Sequence, residues 1–220
     1  FIVKKELPDG TIATGQSFAL NLRKEKFKDI KVRQALGLMF NFEWSNETLF
    51  YGLYERINSF WENSELEATD VPTGREHELL SDMIDKGLLT KDILSQIAIP
   101  GATSGNRQLD RKNLKLASSL LDDAGWLVDD NGKRRKNGKT LDVEFLEASP
   151  AFDRIVNPFV ENLISLGINA NLNRIDYAQY TNRTRSFDFD IITIHGIYSW
   201  ITDINKKVND KIFASKCSEI

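Results

Sequence analysis

The sequence predicts an α/β fold. Between residues 141 and 194 the patterning runs strand, helix, strand, helix, strand, the alternation of a sheet wound with helices. The last of these strands crowds Ile191, Ile192 and Ile194 together, as a strand buried on both faces does. The helical segments each carry a single apolar stripe. A chain of 220 residues with 41% hydrophobic and 28% charged residues has enough apolar material for one domain, or for one lobe of a larger protein.

Taken in order, residues 1–22 read as a crossing segment. Pro8-Asp9-Gly10 is a turn signal. Phe18, Leu20 and Leu22 then alternate with small or polar neighbours, which predicts a strand. Asp29 is placed to cap a helix over about 30–40 with Val32, Ala35, Leu36, Met39 and Phe40 buried and Arg33 on its flank. A short helix follows at about 44–51, then a polar, irregular stretch at 54–72. Thr73-Gly74-Arg75-Glu76 has capping-box spacing and opens a helix to about Asp85, with Gly87 as its stop. Residues 100–106 are a loop by composition. From Asp110 to Ala124 a stripe of Leu114, Ala117, Leu120, Leu121 and Ala124 predicts a helix ending on Gly125.

Asp129-Asp130-Asn131-Gly132 and Lys136-Asn137-Gly138-Lys139 are closely spaced turn signals. Lys133, Arg134, Arg135 and Lys136 between them read as a solvated hairpin tip. Leu141, Val143 and Phe145 alternate with Asp142 and Glu144 in a half-buried strand. A helix follows at about 151–166, which Pro158 should start or kink. A strand runs from Ile168 to Ile175, a helix capped by Asp176 covers about 177–185, and the apolar strand spans Phe187–Ile194. No internal repeat or low-complexity tract is present.

Composition excludes several functions. A net charge of −3 argues against a nucleic-acid partner, and the basic tip lacks the interleaved aromatics that stack bases. No apolar run is long enough to span a bilayer. The chain opens on Phe1-Ile2-Val3, without an initiating Met or signal-peptide pattern, and so reads as a processed or excised piece. The single cysteine, Cys217, permits no internal disulfide and is read as an unpaired thiol. His77 in Glu76-His77-Glu78 does not form a zinc motif with the distant His195, so no metal is expected. Asp188 and Asp190 share a strand face, yet no His or Arg stands in fixed relation to them, and solvation of a strand end is the reading. Cys217 with His195 has no support as a thiol dyad. No enzyme site and no cofactor emerge.

The stretch Asp29-Ile30-Lys31-Val32-Arg33-Gln34-Ala35-Leu36 resembles the signature helix of family 5 extracellular solute-binding proteins, the peptide-binding subunits of ABC importers. Phe42-Glu43-Trp44-Ser45-Asn46-Glu47-Thr48-Leu49-Phe50-Tyr51-Gly52 and Glu62-Asn63-Ser64-Glu65-Leu66 resemble its Yej-type branch, associated with peptide and microcin C-like uptake. Asn113-Leu114 with Ala117, Leu120, Leu121, Ala124, Gly125 and Trp126 is similar to the family's next helix, whose closing aromatic plugs the core. Leu163 to Ala170, Tyr177-Ala178-Gln179-Tyr180 with Arg183, and Phe187-Asp188-Phe189-Asp190 resemble the part after it. The likeness covers residues 15–195. The family then places Gly-Trp; here His195-Gly196-Ile197-Tyr198-Ser199-Trp200 stands instead, and the alignment is lost after about 196.

The resemblance implies one lobe of a type II periplasmic-binding-protein clamshell, with a mixed sheet flanked by helices. Residues 1–22 would supply a hinge-crossing segment and first strand, and residues 23–220 an incomplete C-terminal lobe. It implies capture of a peptide in the periplasm by closure, with no catalysis. The partners would be an ABC permease in the inner membrane and an N-terminal lobe of the same protein. The alternative is a truncated lobe kept as a protein-interaction module.

Ligands of open α/β sheets sit beyond the carboxyl ends of the strands. There His195, Gly196, Ile197 and Tyr198 offer backbone groups, Tyr198 and Trp200 aromatic surface, and Asp203 a carboxylate for a peptide ammonium. The other reading is an ordinary loop with a core Trp. Arg183 stands where the family often carries a cleft arginine and would hold a ligand carboxylate, with Tyr177 two helical turns before it. The other reading is a surface salt bridge to Asp188 or Asp176.

Overall fold

A computed structural model describes residues 15–57, 59, 69–95 and 103–196. The chain divides into two units. One takes Gln16–Arg56 and Gly101–Ile194; the other takes Phe1–Gly15, Ile57–Pro100 and His195–Glu219.

The first unit is built on a four-stranded sheet in the order β1 (Gly15–Leu20), β7 (Ile191–Gly196), β5 (Asp142–Glu147), β6 (Asn169–Arg174). β5 runs parallel to both β6 and β7, pairing Val143 with Ala170 and Phe145 with Ile191. Residues of β5 alternate between two apolar layers. Val143 and Phe145 join the core made by α1 (Ile30–Met39), α4 (Arg111–Asp123) and α5 (Asp153–Ser165), while Leu146 joins Ala19, Phe189 and Ile192 on the face where α6 (Tyr177–Arg185) brings Tyr180. Both faces of the sheet are thus covered, which is why Ile191 and Ile192 are buried on opposite sides. At the centre of the first layer the rings of Phe18, Phe40, Phe145 and Phe159 stand 5.1–5.8 Å apart, edge-on or tilted.

The local signals explain the helix ends. Asp29 accepts from the Lys31 N–H at 2.9 Å, Asp110 from Asn113 and Asp176 from Gln179 at the same distance. Each such cap is worth about 1 kcal/mol. α4 stops where Gly125 takes φ +81, with Trp126 N–H donating to Leu121 O and Gly125 N–H to Asp122 O. Trp126 is buried in the core, as the resemblance of this segment to the family's helix implied. α2 (Phe42–Leu49) starts two residues earlier than the pattern predicted, because Asn41 is its cap and accepts from Trp44 N–H at 2.9 Å. It ends where Tyr51 and Gly52 turn to positive φ. Pro158 neither starts nor ends α5. The chain enters through a 3-10 turn at Pro150–Phe152, and the helix runs two turns past the proline, which forgoes only the bond to the Arg154 carbonyl. β7 begins at Ile191, four residues later than read, because Phe187 at φ +56 still belongs to the turn leaving α6.

Arg33, expected on the flank of α1, is part of the interior. It is buried, with Nη1 donating to the carbonyls of Phe27 and Lys28. The basic tip is corrected as well. Residues 127–140 form a small antiparallel sheet, β2 (Leu127–Val128), β3 (Arg134–Lys136) and β4 (Lys139–Thr140), whose β3–β4 turn has Asn137 and Gly138 both at positive φ. Arg134 points inward and is 1% exposed. Its guanidinium donates to Leu166 O at 3.1 Å, Trp126 O at 2.8 Å, Ser118 Oγ at 2.5 Å and the Asp122 carboxylate. Gly167 makes room for this: a Cβ there would meet Gly132 O at 2.8 Å and Arg134 Cγ at 3.3 Å.

In the second unit the described helix is α3 (Gly74–Asp85), followed by a 3-10 turn at Lys91–Leu94. The capping box does not form. Gly74 enters at φ +51, and the Thr73 side chain makes no cap bond. The predicted stop holds: Gly87 sits at φ +69, with Leu88 N–H on Met83 O. Among the described residues, no helix is long and apolar enough to cross a membrane.

Candidate functional site

β5 leads through α5 to β6 on one side and, by way of α6, to β7 on the other. Such a change of winding direction opens a crevice at the carboxyl ends of the two strands. The last residue of β5, Glu147, sits there and is 3% exposed. Its Oε1 accepts from the Thr193 backbone N–H at 3.1 Å and from the Thr193 hydroxyl. Paired residues on β5 and β7 reach to Leu146 and Ile192, and the carboxylate is a further acceptor at the end of that ladder. Burial raises the Tyr180 pKa, and the Glu147 charge adds to the rise. Arg174, which ends β6, pairs with Asp153 at the start of α5.

Tyr177 is the first residue of α6 and is 68% exposed. Arg183 lies in the last turn of that helix, 26% exposed. Its Nη2 donates to Glu144 Oε1 at 2.6 Å, and its Nε to Asp188 O at 2.9 Å and Asp188 Oδ2 at 3.1 Å. Burial opposes the Arg183 charge, but the bonds to Glu144 and Asp188 outweigh it and raise its pKa. These partners place Arg183 near the beginnings of β5 and β7, whereas Tyr177 follows the end of β6. One helix carries both, and the structure does not bring them together. His195 and Gly196 are the last residues of β7. Ile197, Tyr198, Trp200 and Asp203 lie outside the described residues.

Asp188 and Asp190 both precede β7 rather than sharing one of its faces. Asp190 is no solvated strand end: it accepts from Lys26 Nζ at 2.6 Å and from Glu144 N–H at 3.0 Å. A further group ties loops to α2. Glu43 holds Arg56 through Nε at 2.8 Å and Nη2 at 3.2 Å, and accepts from Ser104 N–H at 3.0 Å. Among the described residues no three His, Cys, Asp or Glu side chains gather as a metal would need.

Sequence reasoning missed Glu147 and Arg134. The signal for Glu147 was present, since it continues the buried phase of Leu141, Val143 and Phe145 with a carboxylate. For Arg134 there was none, because its carbonyl partners lie up to 32 residues away.

The family model for bacterial extracellular solute-binding proteins, family 5 Middle, matches residues 3–209. The chain belongs to this family. Among curated relatives of this solute-binding family, it is 40% identical over 212 residues to the probable peptide-binding protein YejA of Agrobacterium fabrum, covering 93% of this chain and 33% of that protein. The chain spans about a third of the length of the curated relatives it matches. Among solved structures it resembles NikZ from Campylobacter jejuni in complex with Ni(L-His), with a TM-score of 0.63 at 18% identity, covering 90% of this chain and 32% of that one. It also resembles the oligopeptide-binding protein AppA of Bacillus subtilis in complex with a nonapeptide, with a TM-score of 0.60 at 19% identity, covering 86% and 32%. At such identities the likeness is one of fold: a family 5 solute-binding lobe, with its sheet flanked by helices.

Proposed function

We propose that this chain is part of the substrate-binding subunit of an ABC importer and captures peptides in the periplasm, its ligands extending to microcin C-like molecules. The observation that carries this reading is the 40% identity, over nearly the whole chain, to a relative named as a probable peptide-binding protein. The partners in this reading are the peptide, an inner-membrane ABC permease, and an N-terminal lobe that closes over the ligand. Residues 1–22 would form the crossing from that lobe and residues 23–220 the C-terminal lobe. Binding energy must then favour the closed state over the open one. Capture requires no catalysis.

The ligand would meet Tyr177, the backbone of His195, Gly196, Ile197 and Tyr198, the Trp200 ring and Asp203, and would reach Arg183 only by extending along α6, about 9 Å from Tyr177. Arg183 would take a negative group. The more exposed of its two carboxylate partners, Asp188, is the one a ligand would displace. Asp203 would take the peptide ammonium. The test is calorimetric titration of short oligoalanine peptides into a protein carrying the full length of the relatives, as wild type, Arg183→Ala and Asp203→Ala, each with unchanged melting. Losing one partner of a desolvated charge pair costs about 2–5 kcal/mol, so each variant should bind at least about tenfold more weakly. The isolated chain, with one wall of the cleft, should bind at roughly micromolar to millimolar Kd. Wild-type affinity in both variants would put the pocket elsewhere on the sheet.

A further inference from the structure

We propose that Arg154 and the loop after α2 form a seat for the carboxyl-terminal residue of a captured peptide: the guanidinium takes the terminal carboxylate, and Leu53 and Tyr54 take the side chain beside it. The inference rests on the peptide-binding reading above. It adds to that reading a cation and an apolar surface that the ligand-contacting residues named there do not include.

The fold delivers both parts to one end of the sheet. α5 begins where the chain leaves β5 through the turn at Pro150–Phe152, so Arg154 stands at the carboxyl ends of the strands, where ligands of such folds sit. α2 packs against α5 and runs the opposite way along it. Ahead of α2, the Met39 carbonyl accepts from Asn162 Nδ2 at 2.9 Å, about two turns down α5. Just after α2, the Phe50 ring centre lies 5.5 Å from Arg154 Cζ. Between these two contacts the chain has climbed α5, and the loop it enters lies beside the first turn of that helix.

The chemistry of the two parts is complementary to one kind of group. Arg154 is exposed, and among the described residues no carboxylate is bonded to it. Neighbouring cations are committed: Arg56 to Glu43, Arg174 to Asp153, and Arg183 to Glu144 and Asp188. A guanidinium lying over a ring keeps its in-plane N–H donors for a planar anion. Beside it, Tyr51, Leu53 and Tyr54 turn outward, yet the loop is pinned from within. Asn46 Nδ2 donates to Tyr54 O at 2.6 Å, Asn46 Oδ1 accepts from Tyr54 N–H at 3.0 Å, and the Tyr54 ring meets Phe50 edge-on at 4.6 Å. Tyr51 is held at φ +57, where a bulky residue is rare. A surface ordered before the ligand arrives loses less freedom on binding. An uncommitted cation next to fixed apolar groups suits a carboxylate next to an apolar side chain, which a peptide carries at its carboxyl terminus.

The test is calorimetric titration of trialanine, trialanine amide and a dialanyl-phenylalanine tripeptide into the full-length protein, as wild type, Arg154→Met, Arg154→Lys and Tyr54→Ala. Wild type should bind trialanine about tenfold more tightly than its amide. Arg154→Met should remove that preference, and Arg154→Lys should keep most of it. Tyr54→Ala retains the Asn46 bonds, which are to the main chain. It should abolish the advantage of a terminal phenylalanine, about fivefold, and keep the preference for a free carboxylate. A wild type indifferent to amidation overturns the proposal with no variant needed. So does a folded Arg154→Met that still prefers the carboxylate, or one that weakens trialanine and its amide alike, as a merely structural arginine would; in these cases the peptide-binding reading stands. A wild type that binds none of the three peptides overturns both. Unchanged peptide affinities in Tyr54→Ala, with self-association or permease stimulation lost instead, give the loop to a second copy or to the permease and overturn the proposal as well.

Discussion

Arg134 and Arg183 are both cations in polar stretches of sequence, and the structure treats them in opposite ways. Arg134 sits in a basic run and is buried at 1% exposure, with two carbonyls, a hydroxyl and a carboxylate around its fork. Arg183 lies in the last turn of an exposed helix, keeps 26% exposure, and is held mainly by two carboxylates, of which Asp188 is 61% exposed. Carbonyl partners are fixed by the fold and cannot turn away. An exposed carboxylate can. The first arrangement staples the small sheet to α4 and to the turn before β6; the second leaves a cation whose partner is exchangeable. The difference lies in the partners and not in the local charge pattern.

The strongest way to break this comparison is at Arg134. Arg134→Met leaves two buried carbonyls without donors, and each such group costs about 1–3 kcal/mol, so the loss should reach about 3 kcal/mol or more. Urea unfolding measures it. A loss below about 1 kcal/mol would mean the guanidinium is not what anchors residues 127–140.

Glu43 stands between the two cases, with a side chain 34% exposed and bonded to both Arg56 and Ser104. Burial disfavours its charge, but the Arg56 fork and the Ser104 N–H prevail and hold its pKa below the ordinary glutamate range. A carboxylate with a depressed folded pKa contributes stability above its unfolded pKa and loses it as pH falls through the folded one. The stability gap between wild type and Glu43→Gln should therefore be constant at neutral pH and shrink only below about pH 4.5. Thermal melts across pH check this; a gap that widens in acid would reverse the assignment.

The smallest effect belongs to Arg183. Its partners are partly solvated, so Arg183→Gln should change stability by no more than about 1 kcal/mol, and Asp188→Asn by less. A loss as large as that at Arg134 would make Arg183 a structural staple as well, and its pair with Asp188 no longer exchangeable.

The α/β order, the four-residue logic of the helix caps at Asp29, Asp110 and Asp176, and the Gly125 and Gly87 stops were readable in the sequence because each depends on neighbours within a few residues. Contacts that close over distance were not. The Lys133–Lys136 run reads as solvated to any local rule, and only the Leu166 and Trp126 carbonyls make Arg134 a core residue. The start of β7 was misplaced because the apolar character of Phe187 and Phe189 hid a left-handed turn at Phe187. Of the candidate site, Tyr177 and Arg183 fall on α6 as expected, the ion pair of Arg183 with Asp188 was foreseen as an alternative, and the bond to Glu144 was not. Asp190 was read as solvated because its partner Lys26 lies far away in sequence.

The neighbours in the sheet also order events in time. β1 is made first and lies beside β7, which is made last of the described strands, and Asn21 reaches across the same gap to the carbonyls of Phe187 and Phe189. A chain emerging from the ribosome therefore carries β1 without its neighbouring strand until β7, which begins at Ile191, has been synthesised. Contacts so distant in sequence are slow to form, and exposed strand edges invite aggregation meanwhile. We expect chaperone dependence during synthesis, and we expect it to fall in a circular permutant that begins at α1 and carries β1 after β7.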